Sequence, residues 1–192
     1  MAWEDSIVKE ATEPTHLAGA SAGQAAAYAA EPVLSHITPR GVPGMVDVSA
    51  KAVTDRSACA RAMVTLPVGA NLFSDRVEDL RVAKGSVLAT AIAAGTLAVK
   101  RTPELIPLCH GLPVTGCTFD FDARDGRTLV VRCTVKTRAA TGVEMEAIVG
   151  ASMAAITIYD MCKSMGHDIT IGPIALESKS GGKHDILRAC EV

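Results

Sequence analysis

The sequence predicts an α+β fold, an antiparallel sheet covered on one face by helices, and three observations carry that prediction. Two uncharged runs rich in Ala and Gly, Gly85–Val99 and Ala147–Tyr159, read as buried helices. The segment Cys117–Asp122 sets Cys117, Phe119 and Phe121 against alternating Thr and Asp, the period of a half-buried strand. Across Asp125-Gly126, a hairpin signal, the run Leu129–Lys136 returns as its partner. Short strands grouped around two buried helices belong to the α+β class.

The elements follow in chain order. Residues 1–32 are Ala-rich with scattered acids and no clear period. They are expected to form a disordered N-terminal extension, with a short helix near Ala25–Ala30, ahead of a single domain over 33–192. The Pro/Gly-rich link Pro39–Gly44 leads into Met45–Ser49. Ser57–Leu66, ended by Pro67, suits a strand, and Asp75–Leu80 a short helix. Lys84-Gly85 opens a helix to about Lys100, with Ser86 able to cap it. Pro103 suits the first turn of a second, short helix that Pro107 ends. After the hairpin comes the longest helix, about Val143–Met165, closed by Gly166. Ile169–Leu176 reads as the last strand, followed by a Gly-rich tail.

Bulk composition narrows the function. Apolar residues make up 48% of the 192 residues and aromatics only 3%, so the core must be built from Ala, Val, Ile, Leu and Met. A formal charge of −2 supplies no global attraction to nucleic acid or to an acidic membrane, so any anion site must be local. Both uncharged runs fall short of the roughly 18–20 residues that span a bilayer. The six cysteines are scattered, and no pair has the two-residue gap of a zinc knuckle or redox motif. With no signal-like N-terminus, free thiols in a reducing cytoplasm are expected.

Charge on the long helix is confined to its ends. Glu144 and Glu146 sit at the start, where the helix dipole favours carboxylates. Asp160 and Lys163 sit at the end, three apart on one face. The pair reads either as an i,i+3 salt bridge or as an acid–base pair, since a carboxylate in the last turns opposes the dipole. Glu146 and Asp160 are 14 residues apart, about 21 Å along a helix. The two ends therefore serve different sites, or a neighbouring subunit completes each one. His110, between Pro107 and Pro113 in a stiff loop, could present its imidazole to a pocket or lie on the surface. Cys109 beside it has no second Cys or His at ligand spacing, so no metal is expected; no other cofactor is expected. Lys84-Gly85-Ser86 and Lys179-Ser180-Gly181-Gly182-Lys183 could bring ammonium and backbone N–H groups to phosphates, or form a solvated tail. Neither is the phosphate loop of nucleotide triphosphatases: His184 follows Lys183, and Glu177 occupies the first glycine's place.

Taken together, the blocks 45–51 (Met-Val-Asp-Val-Ser-Ala-Lys), 84–87, 105–110 (Leu-Ile-Pro-Leu-Cys-His), 141–147 (Thr-Gly-Val-Glu-Met-Glu-Ala), 158–163 and 179–183 resemble the molybdenum-cofactor biosynthesis protein C family, the cyclic pyranopterin monophosphate synthases. The resemblance runs from about Leu34 to Lys183. It implies a ferredoxin-like α+β sandwich and a lyase that turns a carbon-bridged cyclic dihydro-GTP into cyclic pyranopterin monophosphate, releasing pyrophosphate. The substrate would come from a radical-SAM GTP cyclase, and the enzyme would be a cytoplasmic homohexamer, a trimer of dimers with sites at subunit interfaces. Neither nucleic acid nor membrane is implied as a partner. Carried over by residue, Asp160, Lys163 and Lys84 take the catalytic positions. Leu108, Cys109, His110, Glu144, Met145, Glu146, Asp47, Lys51, Arg56 and Lys183 take substrate-binding ones. Ser86 stands where the family usually has Asp, and Gly111 where it has Pro.

Overall fold

The computed structural model describes residues 41–68 and 80–188. The expected extension over 1–32, and all of the expected helix over Asp75–Leu80 except Leu80, lie outside them. The described elements are β1 (Thr54–Thr65), β2 (Arg81–Val82), β3 (Gly85–Ser86), α1 (Val87–Lys100), α2 (Thr102–Leu105), β4 (Val114–Arg124), β5 (Thr128–Ala139), α3 (Glu144–Cys162), β6 (Thr170–Ser180) and β7 (Ile186–Leu187). A 3-10 turn over Lys163–Met165 extends α3.

The main sheet runs β4-β5-β1-β6-β7, every neighbouring pair antiparallel. Leaving aside the two-residue strands and the four-residue α2, the chain order is β-α-β-β-α-β, the ferredoxin-like arrangement. Helices α1 and α3 pack on one face of the sheet. There β1 buries Ala58, Ala60, Ala62 and Val64, and β5 buries Leu129, Val131, Cys133 and Val135. Such alternation is what a pleated strand with one covered face requires.

Small residues decide how closely α3 approaches. Its buried side is Ala147, Gly150, Ala151, Ala154, Ala155 and Ile158, so α3 meets the alanines of β1. A methyl group on Gly150 would lie 2.6 Å from both Cys133 Sγ and Val99 Cγ2. One on Gly95 of α1 would lie 2.5 Å from Phe119 Cζ and 3.0 Å from the Gly150 carbonyl. The aromatic-poor core thus trades bulk for close backbone contact, consistent with its packing needs. The stretch Glu144–Met165 is long and apolar enough to cross a membrane by length and composition, yet one side of it lies against the sheet, as in a core helix.

Ser86 accepts from the Ala89 amide at 3.4 Å and caps α1, and Pro103 lies in the first turn of α2. At the β4–β5 hairpin, Asp125 and Gly126 adopt φ of 49° and 69°, the left-handed pair at the centre of a β-turn that the Arg127 amide closes on the Arg124 carbonyl at 3.2 Å. Asp125 Oδ1 accepts from the Arg127 and Thr128 amides. Three differences from expectation stand out. Gly85-Ser86 pairs with Arg81-Val82 before the helix begins. The last turn of the long helix narrows to 3-10 at Lys163. The last strand runs on to Ser180, because Ser178, Lys179 and Ser180 pair with β1, and the first two also with β7, so Lys179-Ser180 is strand rather than tail.

Candidate active site

The start of α3 is walled by the start of β1, the end of β6 and the loop between α2 and β4. Arg56 of β1 donates Nε to the Ala139 carbonyl and Nη2 to that of Ala140, each at 3.0 Å, tying β1 to the exit of β5. The segment after β6 is pinned beside it. Thr54 Oγ1 donates to the Gly181 carbonyl at 2.7 Å, and the Gly181 amide donates to Asp185 Oδ1 at 3.0 Å. These contacts hold Lys183 and His184 against a cleft of about 310 Å³ that Lys51, Arg56, Glu144, Lys179 and Lys183 also line. With four cations and one carboxylate, this lobe favours a polyanion.

A second lobe of about 250 Å³ adjoins it and shares Thr141, Gly142 and Glu144. Its other lining residues include Leu108, Cys109, His110, Met145 and Glu146. Glu146 is only 3% exposed. Desolvation raises its carboxyl above the ordinary value, and the charge of Glu144 adds to the effect. Burial likewise pushes the Cys109 thiol up. Asp47 is not among the lining residues of either lobe. Its carboxylate accepts from the Ser49 hydroxyl and amide, which holds it below the usual range, and the nearby His110 acts in the same direction.

The far end of α3 carries the second cluster. Lys84, in the turn between β2 and β3, donates to the Asp160 carbonyl at 2.8 Å and to Oδ2 at 3.1 Å. Lys163 reaches Asp160 Oδ1 at 2.8 Å. The i,i+3 bridge open in the sequence is therefore present, but a lysine 76 residues away joins it. Lys163 and then Lys84 lower the Asp160 carboxyl, and Asp160 raises the Lys163 ammonium in turn. All three side chains are about half exposed, so the cluster contributes little to stability. It is instead a fixed charge set: one carboxylate kept ionised and one ammonium kept protonated.

The residues singled out in the sequence, Asp47 apart, thus form two groups within the chain. Lys51, Arg56, Leu108, Cys109, His110, Glu144, Met145, Glu146 and Lys183 line the joined lobes. Lys84, Asp160 and Lys163 gather at the opposite end of α3. Lys179 was not singled out as a site residue, although its cluster was. It lines the cation lobe and donates to Glu144 Oε1 at 2.9 Å. A bulge explains why. Ala60 faces Leu176 but Cys59 faces Ser178, so Glu177 is an extra residue and Lys179 lies opposite Ala58 on the helix-covered face. Regular alternation would put it on the other face. Among the described residues, no group of three or more His, Cys, Asp or Glu side chains is arranged to hold a metal ion.

The sequence model of the MoaC family matches residues 45–182. The chain is similar to the cyclic pyranopterin monophosphate synthase of Xanthomonas oryzae pv. oryzae, 54% identical over 155 residues, covering 80% of this chain and 92% of that one. The synthase of the same name from Brevibacillus brevis is 46% identical over 150 residues, 78% of this chain and 92% of the other. A molybdenum cofactor biosynthesis bifunctional protein from Synechocystis sp. is 44% identical over 158 residues, which are 80% of this chain and 45% of that protein.

Proposed function

The chain belongs to the MoaC family, and we infer from that membership that it is a cyclic pyranopterin monophosphate synthase of molybdenum cofactor biosynthesis. The proposed substrate is the carbon-bridged cyclic dihydro-GTP made by a radical-SAM GTP cyclase. One observation carries this reading: a cleft lined by Lys51, Arg56, Lys179 and Lys183 adjoins a lobe lined by His110 and Glu146, the two sharing Glu144. A triphosphate attached to a purine-derived ring asks for such a pairing of a cationic lobe with a polar, partly apolar one.

The chemistry is a cyclisation with loss of pyrophosphate. A substrate hydroxyl attacks the α-phosphorus, a new P–O bond forms, and the bond to the β-phosphate oxygen breaks. The cations of the first lobe would stabilise the departing pyrophosphate. Proton movements that rebuild the ring need a positioned acid and base. Lys163, held protonated by Asp160, suits the acid. Asp160, held ionised, suits the base or anchors both lysines, while Lys84 assists or holds phosphate. His110, Glu144 and Glu146 would bind ring and ribose. The reaction is that of a phosphorus–oxygen lyase.

The two groups lie about 21 Å apart along α3, which supports a site completed by a second copy. Ile92 and Leu97 of α1 and Ile156 of α3 are 40–51% exposed, apolar surface suited to contact between copies. We propose a cytoplasmic homohexamer, a trimer of dimers. Incubation with the cyclised dihydro-GTP tests the activity: stoichiometric pyrophosphate release is expected, and its absence from intact oligomers would refute it. A monomer at micromolar concentration in light scattering would refute the assembly.

A further inference from the structure

Gly142 occupies a position whose backbone does not demand glycine, since it is not among the residues with positive φ. What excludes a side chain there is Glu144. A Cβ on residue 142 would lie 2.0 Å from Glu144 Oε2, 2.7 Å from its Cδ and 2.9 Å from its Oε1. The carboxylate is therefore folded back over residue 142, while Lys179 holds Oε1 from β6 at 2.9 Å. Both partners are 30% exposed. Lys179 reaches this face only through the bulge at Glu177.

Glu144 is also the charged side chain that lines both lobes. A carboxylate free to move in the cation lobe would compete with phosphate for its ammonium groups. Clamped on Lys179, it leaves Lys51, Arg56 and Lys183 to the anion. We propose that Gly142 and Lys179 are positioning residues that clamp the Glu144 carboxylate as the partition between phosphate lobe and ring lobe, setting the register in which substrate lies across them. This rests on the reading that substrate spans both lobes. The gap at 142 and the ammonium at 179 act on one carboxylate, so their effects cannot be independent.

The obstacle to a side chain at 142 is the far end of a flexible residue, so Gly142→Ala can be accommodated by swinging Glu144 away. KM and kcat for the cyclised dihydro-GTP, with thermal midpoints, are compared for wild type, Gly142→Ala, Lys179→Ala, Lys179→Arg and the Gly142→Ala/Lys179→Ala double variant. Each alanine variant is expected to raise KM by about tenfold, the scale of one charged hydrogen bond, more than it lowers kcat. Thermal midpoints should stay within about 2 °C. Lys179→Arg should recover most of the loss, and the double variant should be no worse than the worse single one. An unchanged KM in Gly142→Ala, effects that multiply in the double variant, or failure of Gly142→Ala to fold overturns the clamp. If wild type releases no pyrophosphate, the proposed activity falls instead. A crystal structure of Gly142→Ala then decides the clamp alone: a Glu144 carboxylate more than about 3.5 Å from Lys179 upholds it, and one still in contact overturns it.

Discussion

Replacing Gly150 by alanine sets two effects of opposite sign against each other. Gly150 lies in the middle of α3, where alanine is the better helix former by about 1 kcal/mol. The new methyl group, however, would lie 2.6 Å from Cys133 Sγ on the sheet and 2.6 Å from Val99 Cγ2 on α1. Ordinary carbon contacts are about 3.5–4.0 Å, so the overlap is about 1 Å on each side. Both neighbours are at most 1% exposed and have no space to retreat into. Overpacking of this kind costs about 1–3 kcal/mol. The net loss should be about 0–2 kcal/mol, a fall in thermal midpoint of at most roughly 8 °C for a chain of this size. Melting at fixed protein concentration, which an oligomer requires, measures it. Cys133→Ala should reduce the penalty of Gly150→Ala, because the Sγ contact disappears while Cβ stays 3.6 Å away. A raised midpoint for Gly150→Ala, the outcome of helix propensity alone, would refute the close approach of α3 to α1 and the sheet.

Three further outcomes follow from the site. Asp160→Asn should lower kcat about 10²–10⁴-fold, the range for one acid–base group. Because Asp160 is the main cause of the raised Lys163 ammonium, the alkaline limb of the pH–rate profile should move to lower pH; an unmoved limb would exclude Lys163 as the acid. Glu146 has a raised carboxyl in the folded state, so the native protein binds more protons than the unfolded one above the ordinary value of 4.5. Stability is then lost as pH rises through that window, and Glu146→Gln should be the more stable protein at neutral pH, with the gap closing below the window. Melts of both proteins across pH 4–8 check the sign. Finally, if each site draws on both ends of α3 from two copies, co-refolding inactive Glu144→Ala with inactive Asp160→Ala should restore about one quarter of the sites in a symmetric oligomer. Mixtures that stay inactive would place each site within one chain.

Local chemistry made much of the fold legible. The β4–β5 hairpin follows from alternation and from Asp125-Gly126, and α1 from its serine cap. The ends of α3 were visible because its charges stop where the apolar run begins. Long-range pairing was not. That Lys84 meets Asp160 depends on a turn between two-residue strands packing against the end of α3. That Lys179 meets Glu144 depends on one extra residue in β6, and no local preference announces it. Glu146 looked like a dipole-favoured carboxylate in the first turn, whereas it is buried at the floor of a lobe.

Helix α3 also acts as a ruler. Each residue advances it by about 1.5 Å and turns it by about 100°. Inserting or deleting one residue between Glu146 and Asp160 would change none of the charged side chains at either end. It would still swing Asp160 and Lys163 about a quarter-turn out of phase with Lys84, and would carry the misfit through the Gly150 crossing. Restoring the phase takes about seven residues, which lengthens the ruler by roughly 10 Å. At its exposed positions the segment should therefore accept changes of residue, and almost no change of length.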